Sequence, residues 1–293
     1  MDRGDIRKGR PLLSRRTLMF RGAAALALLP GCSRASEPAQ STLSRWRPEV
    51  AQLIGNIPYE RIEVPGSEAL ARWEALRLSR QDVWPVVVGG DDDLARMAEQ
   101  VSEIDDRPVQ AILAASAALE HPKSLLDFRA KETADWREYL KAHPELGPED
   151  EEYVAELGNW PAIPPDETGF TVAGDIRSGQ PFPYVHILLL PTTRSWEVPA
   201  YLKWGGWNAC PPAEIHAAAM RRWATDYGAE IVGITGDVIN VRVKRRPTSR
   251  DEAVALAREQ YAYCADIVDQ GVEDVATLAA GLMASDWWFF WWD

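Results

Sequence analysis

Tyr201-Leu202-Lys203-Trp204-Gly205-Gly206-Trp207-Asn208-Ala209-Cys210-Pro211-Pro212 is the stretch on which the reading of this chain turns. It sets two tryptophans, a glycine pair, a cysteine and a proline pair between an apolar run and an amphipathic helical pattern. Glycine opens backbone conformations closed to other residues, and tryptophan combines a large apolar area with one N–H donor. The pattern is that of a specialised loop joining two packed elements.

Downstream of it, Ile215, Ala219, Trp223 and Tyr227 fall on one stripe and predict a helix from Pro211 to Tyr227. Strands over 230–235 and 238–244 follow, joined at Gly236-Asp237 as in a hairpin. The clearest helical pattern runs from Asp251 to Asp269, with Val254, Ala257, Tyr261, Cys264 and Val268 on one face, and another helix spans 272–284. The closing run Trp287-Trp288-Phe289-Phe290-Trp291-Trp292 is aromatic on both faces of a strand, which predicts a place inside a covered sheet or the wall of a ligand site.

Upstream, 170–173, 184–190 and 198–202 read as three strands, the middle one apolar throughout and so central. A Pro-rich loop, 158–166, precedes them, and 108–157 reads as helices broken near His121-Pro122 and His143-Pro144. Earlier still come a strand over 59–64, a helix over 67–80 behind a Ser67 cap, and an apolar strand over 84–88 ending in Gly89-Gly90. Asp91-Asp92-Asp93 then opens a helix. Carboxylates there suit the free N–H groups of a first turn better than they suit a hard cation. The fold class expected is α+β, a mixed, largely antiparallel sheet flanked by helices, with a more helical N-terminal part.

The chain has 293 residues and a net charge of −12, with 46% hydrophobic residues, enough for a sizeable core. Residues 1–31 carry seven Arg/Lys against two Asp/Glu, which leaves −17 on the remainder and argues against a nucleic-acid partner. The paired Arg15-Arg16, a short apolar run over 22–29, and Leu29-Pro30-Gly31-Cys32 resemble a twin-arginine export signal that ends in a lipobox. The organisation expected is a signal over 1–32 with lipidation at Cys32, a tether over 33–42, a helix-rich part over 43–165 and a C-terminal domain over 166–293. The location that follows is the cell envelope, with the membrane touched only through the lipid; a basic extension on a cytoplasmic protein is the alternative.

Several landmarks together resemble the domain of unknown function 4253 (DUF4253) family of bacterial proteins. They are Trp204-Gly205-Gly206-Trp207-Asn208 with Cys210-Pro211-Pro212, then Tyr227-Gly228-Ala229-Glu230, then Arg258 to Cys264 with Asp266 to Gly271, and finally Trp288 to Asp293. In order and spacing they cover roughly residues 184–293. Ala265 departs from the proline common in the family at that place. The resemblance implies a fold unit and no chemistry, cofactor or catalytic residue.

The residues themselves supply no reaction either. Nucleophile-elbow, dinucleotide, phosphate-loop, Cys-x-x-Cys and His-Glu-x-x-His patterns are absent from the sequence. No metal site or cofactor is expected, and the catalytic residues are unknown. His121 and His143 precede prolines and read as exposed; His186 and His216 read as core or site. Cys264 reads as core and Cys210 as a loop thiol with its pKa lowered by the following helix, with a Cys210–Cys264 bridge as a further option. The candidate surface is Trp204, Trp207 and Asn208 with Asp266, Asp269 and Gln270, over a floor made by the aromatic C-terminal strand. That combination suits a protein or peptide partner and a non-enzymatic binding role. The alternative is an envelope enzyme, hydrolase-like, using Asp266, Asp269 or His216 on a small molecule or peptide.

Overall fold

The structure, a computed structural model, describes residues 46–103, 105–146 and 155–293. The export signal, Cys32 and the tether expected over 1–42 lie outside the described residues. A six-stranded sheet organises the rest. Its strands are β1 (Glu60–Val64), β2 (Trp84–Val87), β3 (Val185–Leu190), β4 (Glu230–Ile234), β5 (Val238–Arg242) and β6 (Trp287–Trp291), in the spatial order β1-β3-β2-β4-β5-β6. Only β2 and β4 run parallel; the other four pairs are antiparallel. The fold is thus α+β with a mixed, largely antiparallel sheet, and its strands come from both the 43–165 and the 166–293 stretches.

Helices α1 (Pro48–Gly55), α2 (Ala69–Ser79), α3 (Asp91–Glu103), α4 (Val109–Ala117) and α5 (Lys123–Ala142) precede β3. The short α6 (Val198–Tyr201), then α7 (Ala213–Tyr227), α8 (Arg250–Tyr263) and α9 (Val275–Ala284), follow it. Every residue of β3 is buried, as its apolar run, interrupted only by His186, and its place between β1 and β2 require. Trp223 of α7 lies parallel to Phe290 of β6 at 5.6 Å, and Tyr263 of α8 meets Phe290 edge-on at 5.0 Å. Burying one indole of ~200 Å² is worth roughly 5 kcal/mol before its entropy cost. This aromatic seam therefore fixes α7 and α8 on the sheet.

Five expectations fail for identifiable reasons. Residues 170–173 form no strand, because the Thr171 and Val172 N–H groups donate to the Asn240 side-chain oxygen (2.8 and 3.1 Å) instead of a neighbouring ladder. Residues 198–201 are helical, and Pro199 sits in the first turn, where a missing N–H costs nothing. Ser67 lies inside a 3-10 turn, Gly66–Glu68, and does not cap α2. The long helix expected to reach Asp269 stops at Tyr263, and Ile267–Val272 forms a separate π-turn.

The fifth is β6, which is an edge strand. Trp288, Phe290 and Trp292 are buried on one face, while Trp287, Phe289 and Trp291 are half-buried on the other, where Phe170 meets Trp287 at 5.7 Å. Side chains occupy much of its outer backbone. Ser285 Oγ accepts from the Trp287 N–H (2.8 Å) and has its one proton between Glu167 (2.7 Å) and the Trp287 carbonyl (3.1 Å), the Cys264 thiol donates to the Trp291 carbonyl (2.9 Å), and Asp266 accepts from the Asp293 N–H (3.1 Å).

Candidate functional site

The Trp-Gly-Gly-Trp loop turns by placing Lys203, Gly205, Gly206 and Asn208 all at positive φ (51°, 106°, 87° and 45°). At Gly205 a side chain is excluded outright, since a Cβ would lie 2.1 Å from the Pro211 carbonyl oxygen and 2.7 Å from the His216 ring. The loop is closed by Gly206 N–H donating to the Pro211 carbonyl (2.9 Å) and Cys210 N–H to the Trp207 carbonyl (2.8 Å). Trp204 is fully buried. Its N–H donates to the Thr235 carbonyl (2.7 Å), and its ring packs on Trp207, His216 and Trp292 at 4.8, 4.8 and 5.3 Å. It completes the core and does not line a cleft.

The other candidate residues gather at one corner. Asn208 is exposed and donates through Nδ2 to the Asp293 carbonyl (3.0 Å). Asp266, only 1% exposed, accepts from the Asp293 N–H and from Gln270 Nε2 (3.0 Å). Asp269 and Gln270 stand exposed on the same π-turn, and Trp207 is half-buried at the rim. The loop and the π-turn, more than 55 residues apart in sequence, thus meet on the end of the aromatic strand.

Beneath the loop lies a buried cluster that sequence reasoning resolved only in part. Cys210 Sγ is 3.3 Å from His216 Nε2, and His216 Nδ1 shares a short hydrogen bond with the Tyr263 hydroxyl. All three side chains are shut off from solvent, with Cys210 2% exposed and the other two fully buried. Burial pushes the His216 pKa down to about 3, with the Arg129 charge adding to the effect, and pushes the Cys210 thiol and the Tyr263 hydroxyl well up. Cys210 is therefore not the exposed, acidified loop thiol expected: desolvation outweighs any benefit from α7. Cys264 is buried as expected, and the two cysteines are not bridged by a disulfide.

Arg129 of α5 ties the cluster together. Its guanidinium donates to the carbonyls of Ala209 (2.8 Å), Ala262 (2.9 Å) and Tyr263 (2.8 Å), the residues just before Cys210 and at the end of α8. Nothing local marks this arginine among the other charges of α5. His121, expected to be exposed, is also buried. Its ring bonds to Glu259 (2.8 Å) and stands edge-on to Trp223, whose N–H donates to the same carboxylate.

The aspartate triplet acts at the start of α3. Asp93 accepts from the Gly90 N–H (3.0 Å), and Asp91 bonds the buried His186 ring (2.8 Å). Among the described residues no group of three or more His, Cys, Asp or Glu is placed to hold a metal ion. No helix of the described residues is long and apolar enough to cross a membrane.

No curated protein and no solved structure matches the chain. Residues 186–293, from β3 to the end of β6 and including the loop, the π-turn and the buried cluster, match the family model described as Domain of unknown function (DUF4253).

Proposed function

We propose that this is a binding protein of the cell envelope, held to the membrane by a lipid on Cys32, that takes a protein or peptide partner at the corner around Asp293. The observation that carries the reading is the convergence of Trp207, Asn208, Asp269 and Gln270 at the end of an aromatic strand. A half-exposed indole ringed by amide and carboxylate groups is the composition of a small recognition patch. The backbone around it is pinned from three sides, so the patch loses little freedom on binding. The charge of −17 outside residues 1–31 favours a basic partner. Arg15-Arg16 and Leu29-Pro30-Gly31-Cys32 support the envelope location.

The test is affinity purification of the tagged full-length protein from native membranes beside Trp207→Ala and Asp269→Arg. The expected result is one partner at equal stoichiometry with wild type, weakened roughly 30-fold or more by Trp207→Ala and visibly by Asp269→Arg. A partner retained equally by both variants would place recognition elsewhere. An unlipidated, soluble full-length chain would remove the anchor.

A further inference from the structure

We infer that Cys210 and Cys264 form a thiol–disulfide exchange site, in which Cys210 reacts first with a disulfide of low molecular weight and Cys264 resolves it. The inference goes beyond the binding reading and does not depend on it. Neither cysteine is in a disulfide, and both are linked to Tyr263: Cys210 through His216, whose other ring nitrogen bonds the Tyr263 hydroxyl, and Cys264 as the next residue in the chain. Each thiol, if ionised, would raise the proton affinity of Tyr263, and Cys264 does the same to Cys210, so the three groups are electrostatic neighbours. One guanidinium, that of Arg129, holds the carbonyl immediately before each cysteine.

The two thiols are not equivalent. Cys210 has an imidazole nitrogen, His216 Nε2, at 3.3 Å, which is a base in the tautomer protonated at Nδ1, whereas Cys264 spends its S–H on the Trp291 carbonyl. The loop that carries Cys210 would be its roof: Gly206 and Asn208 are exposed, and Asn208 is tied to Asp293 by an exposed hydrogen bond. Lifting that roof admits water and the disulfide together, and rehydration relieves the burial that keeps the imidazole from accepting a proton.

The chemistry balances without a further oxidant. His216 Nε2 takes the Cys210 proton, and the thiolate attacks one sulfur of the disulfide RS–SR. The Cys210–SR bond forms, the S–S bond of the reagent breaks, and the departing thiolate takes the proton from His216. The Cys264 thiolate then attacks Cys210 Sγ, expelling the second RS⁻, which leaves with the Cys264 proton. The protein loses two protons and two electrons, and the disulfide becomes two thiols.

The experiment uses the full chain carrying Cys32→Ala, reduced, then exposed to oxidised glutathione and read by intact mass and peptide mapping. The expected product is loss of two hydrogens and a linked pair of peptides containing Cys210 and Cys264. Cys264→Ser is expected to stop at a glutathione adduct on Cys210, and Cys210→Ser to leave Cys264 unmodified over the same time. Asn208→Ala, which frees the roof without touching either thiol, is expected to speed the reaction about fivefold, the weight of one exposed hydrogen bond. Two unmodified thiols in the natively folded Cys32→Ala chain, with linkage appearing only in denaturant, would overturn the inference. So would an adduct on Cys264 in Cys210→Ser that forms as fast as the one on Cys210 in Cys264→Ser.

Discussion

Removing the Arg129 side chain tests whether the corner is built as described. The last carbonyls of a helix have no partner within it, and in α8 those of Ala262 and Tyr263 are taken by this guanidinium, which also reaches Ala209 in the loop. A cation at a helix C-terminus also meets the negative end of the dipole. Hydrogen bonds to a charged donor contribute about 1.5–3 kcal/mol each when buried. With the side chain 22% exposed, water replaces part of that, and about 1 kcal/mol per bond is the fair share. The ion pair with Glu132, itself 36% exposed, adds a few tenths at most. Arg129→Ala is therefore expected to cost about 3 kcal/mol in urea unfolding at pH 7, with the slope unchanged. Arg129→Lys keeps the charge but reaches one carbonyl at a time, and is expected to cost about 2 kcal/mol. A loss below about 0.5 kcal/mol for Arg129→Ala, or a lysine variant as stable as wild type, would refute the idea that the fork holds these segments together.

Further outcomes follow from neighbouring residues. Gly205→Ala puts a methyl group 2.1 Å from the Pro211 oxygen and is expected to cost more than about 3 kcal/mol or prevent folding. Gly169→Ala, at φ 67° but with nothing within 4 Å, should cost about 1 kcal/mol in the same urea assay. His216, neutral when folded with a pKa near 3 and close to 6.5 when unfolded, gives a pH dependence of known sign. Between these values the unfolded chain binds more protons, so its contribution is full above the unfolded pKa and falls by up to about 1.4 kcal/mol per pH unit as pH drops toward 3. Denaturant midpoints between pH 6.5 and 5, above most carboxylate titrations, should show this slope in wild type and lack it in His216→Asn. Trp223→Phe keeps a ring on Phe290 but removes the N–H that Glu259 accepts, and should lower stability by about 2 kcal/mol on chemical denaturation.

Much of this architecture was legible because period and punctuation carry it. β3, β4 and β5 show as apolar runs, the β4–β5 hairpin is set by Gly236-Asp237, and α7 shows its stripe of Ile215, Ala219 and Trp223. The misreadings share one cause, which is that the deciding partner lies far away in sequence. Nothing near Tyr263 announces a helix end; the group that takes its carbonyl is 134 residues upstream. Phe170 to Val172 reads as a strand, but Asn240, about 70 residues on, takes two of its N–H groups in place of a ladder. The aromatic run of β6 read as interior because both its faces are apolar; a loop covers part of one face and side chains occupy its free edge. At the site, the loop and the stretch from Asp266 to Gln270, read as the end of a helix, were expected to lie together over the aromatic C-terminal strand. The inward turn of Trp204 was not, because an indole reads alike whether it faces a ligand or the Thr235 carbonyl.

The side-chain caps along β6 have a consequence for the behaviour of the protein in concentrated solution. Six consecutive aromatic residues on a bare sheet edge are the sequence of a strand that adds to its own copy and goes on adding. Ser285, Cys264 and Asp266 occupy rungs such a copy would need at Trp287, Trp291 and Asp293. Asp266 in addition places a carboxylate where an incoming strand would need a carbonyl register, a charge acting as gatekeeper. Protection of this edge thus rests on three small polar side chains, beside the net charge of the chain, and a change that draws them away uncovers a template for strand addition.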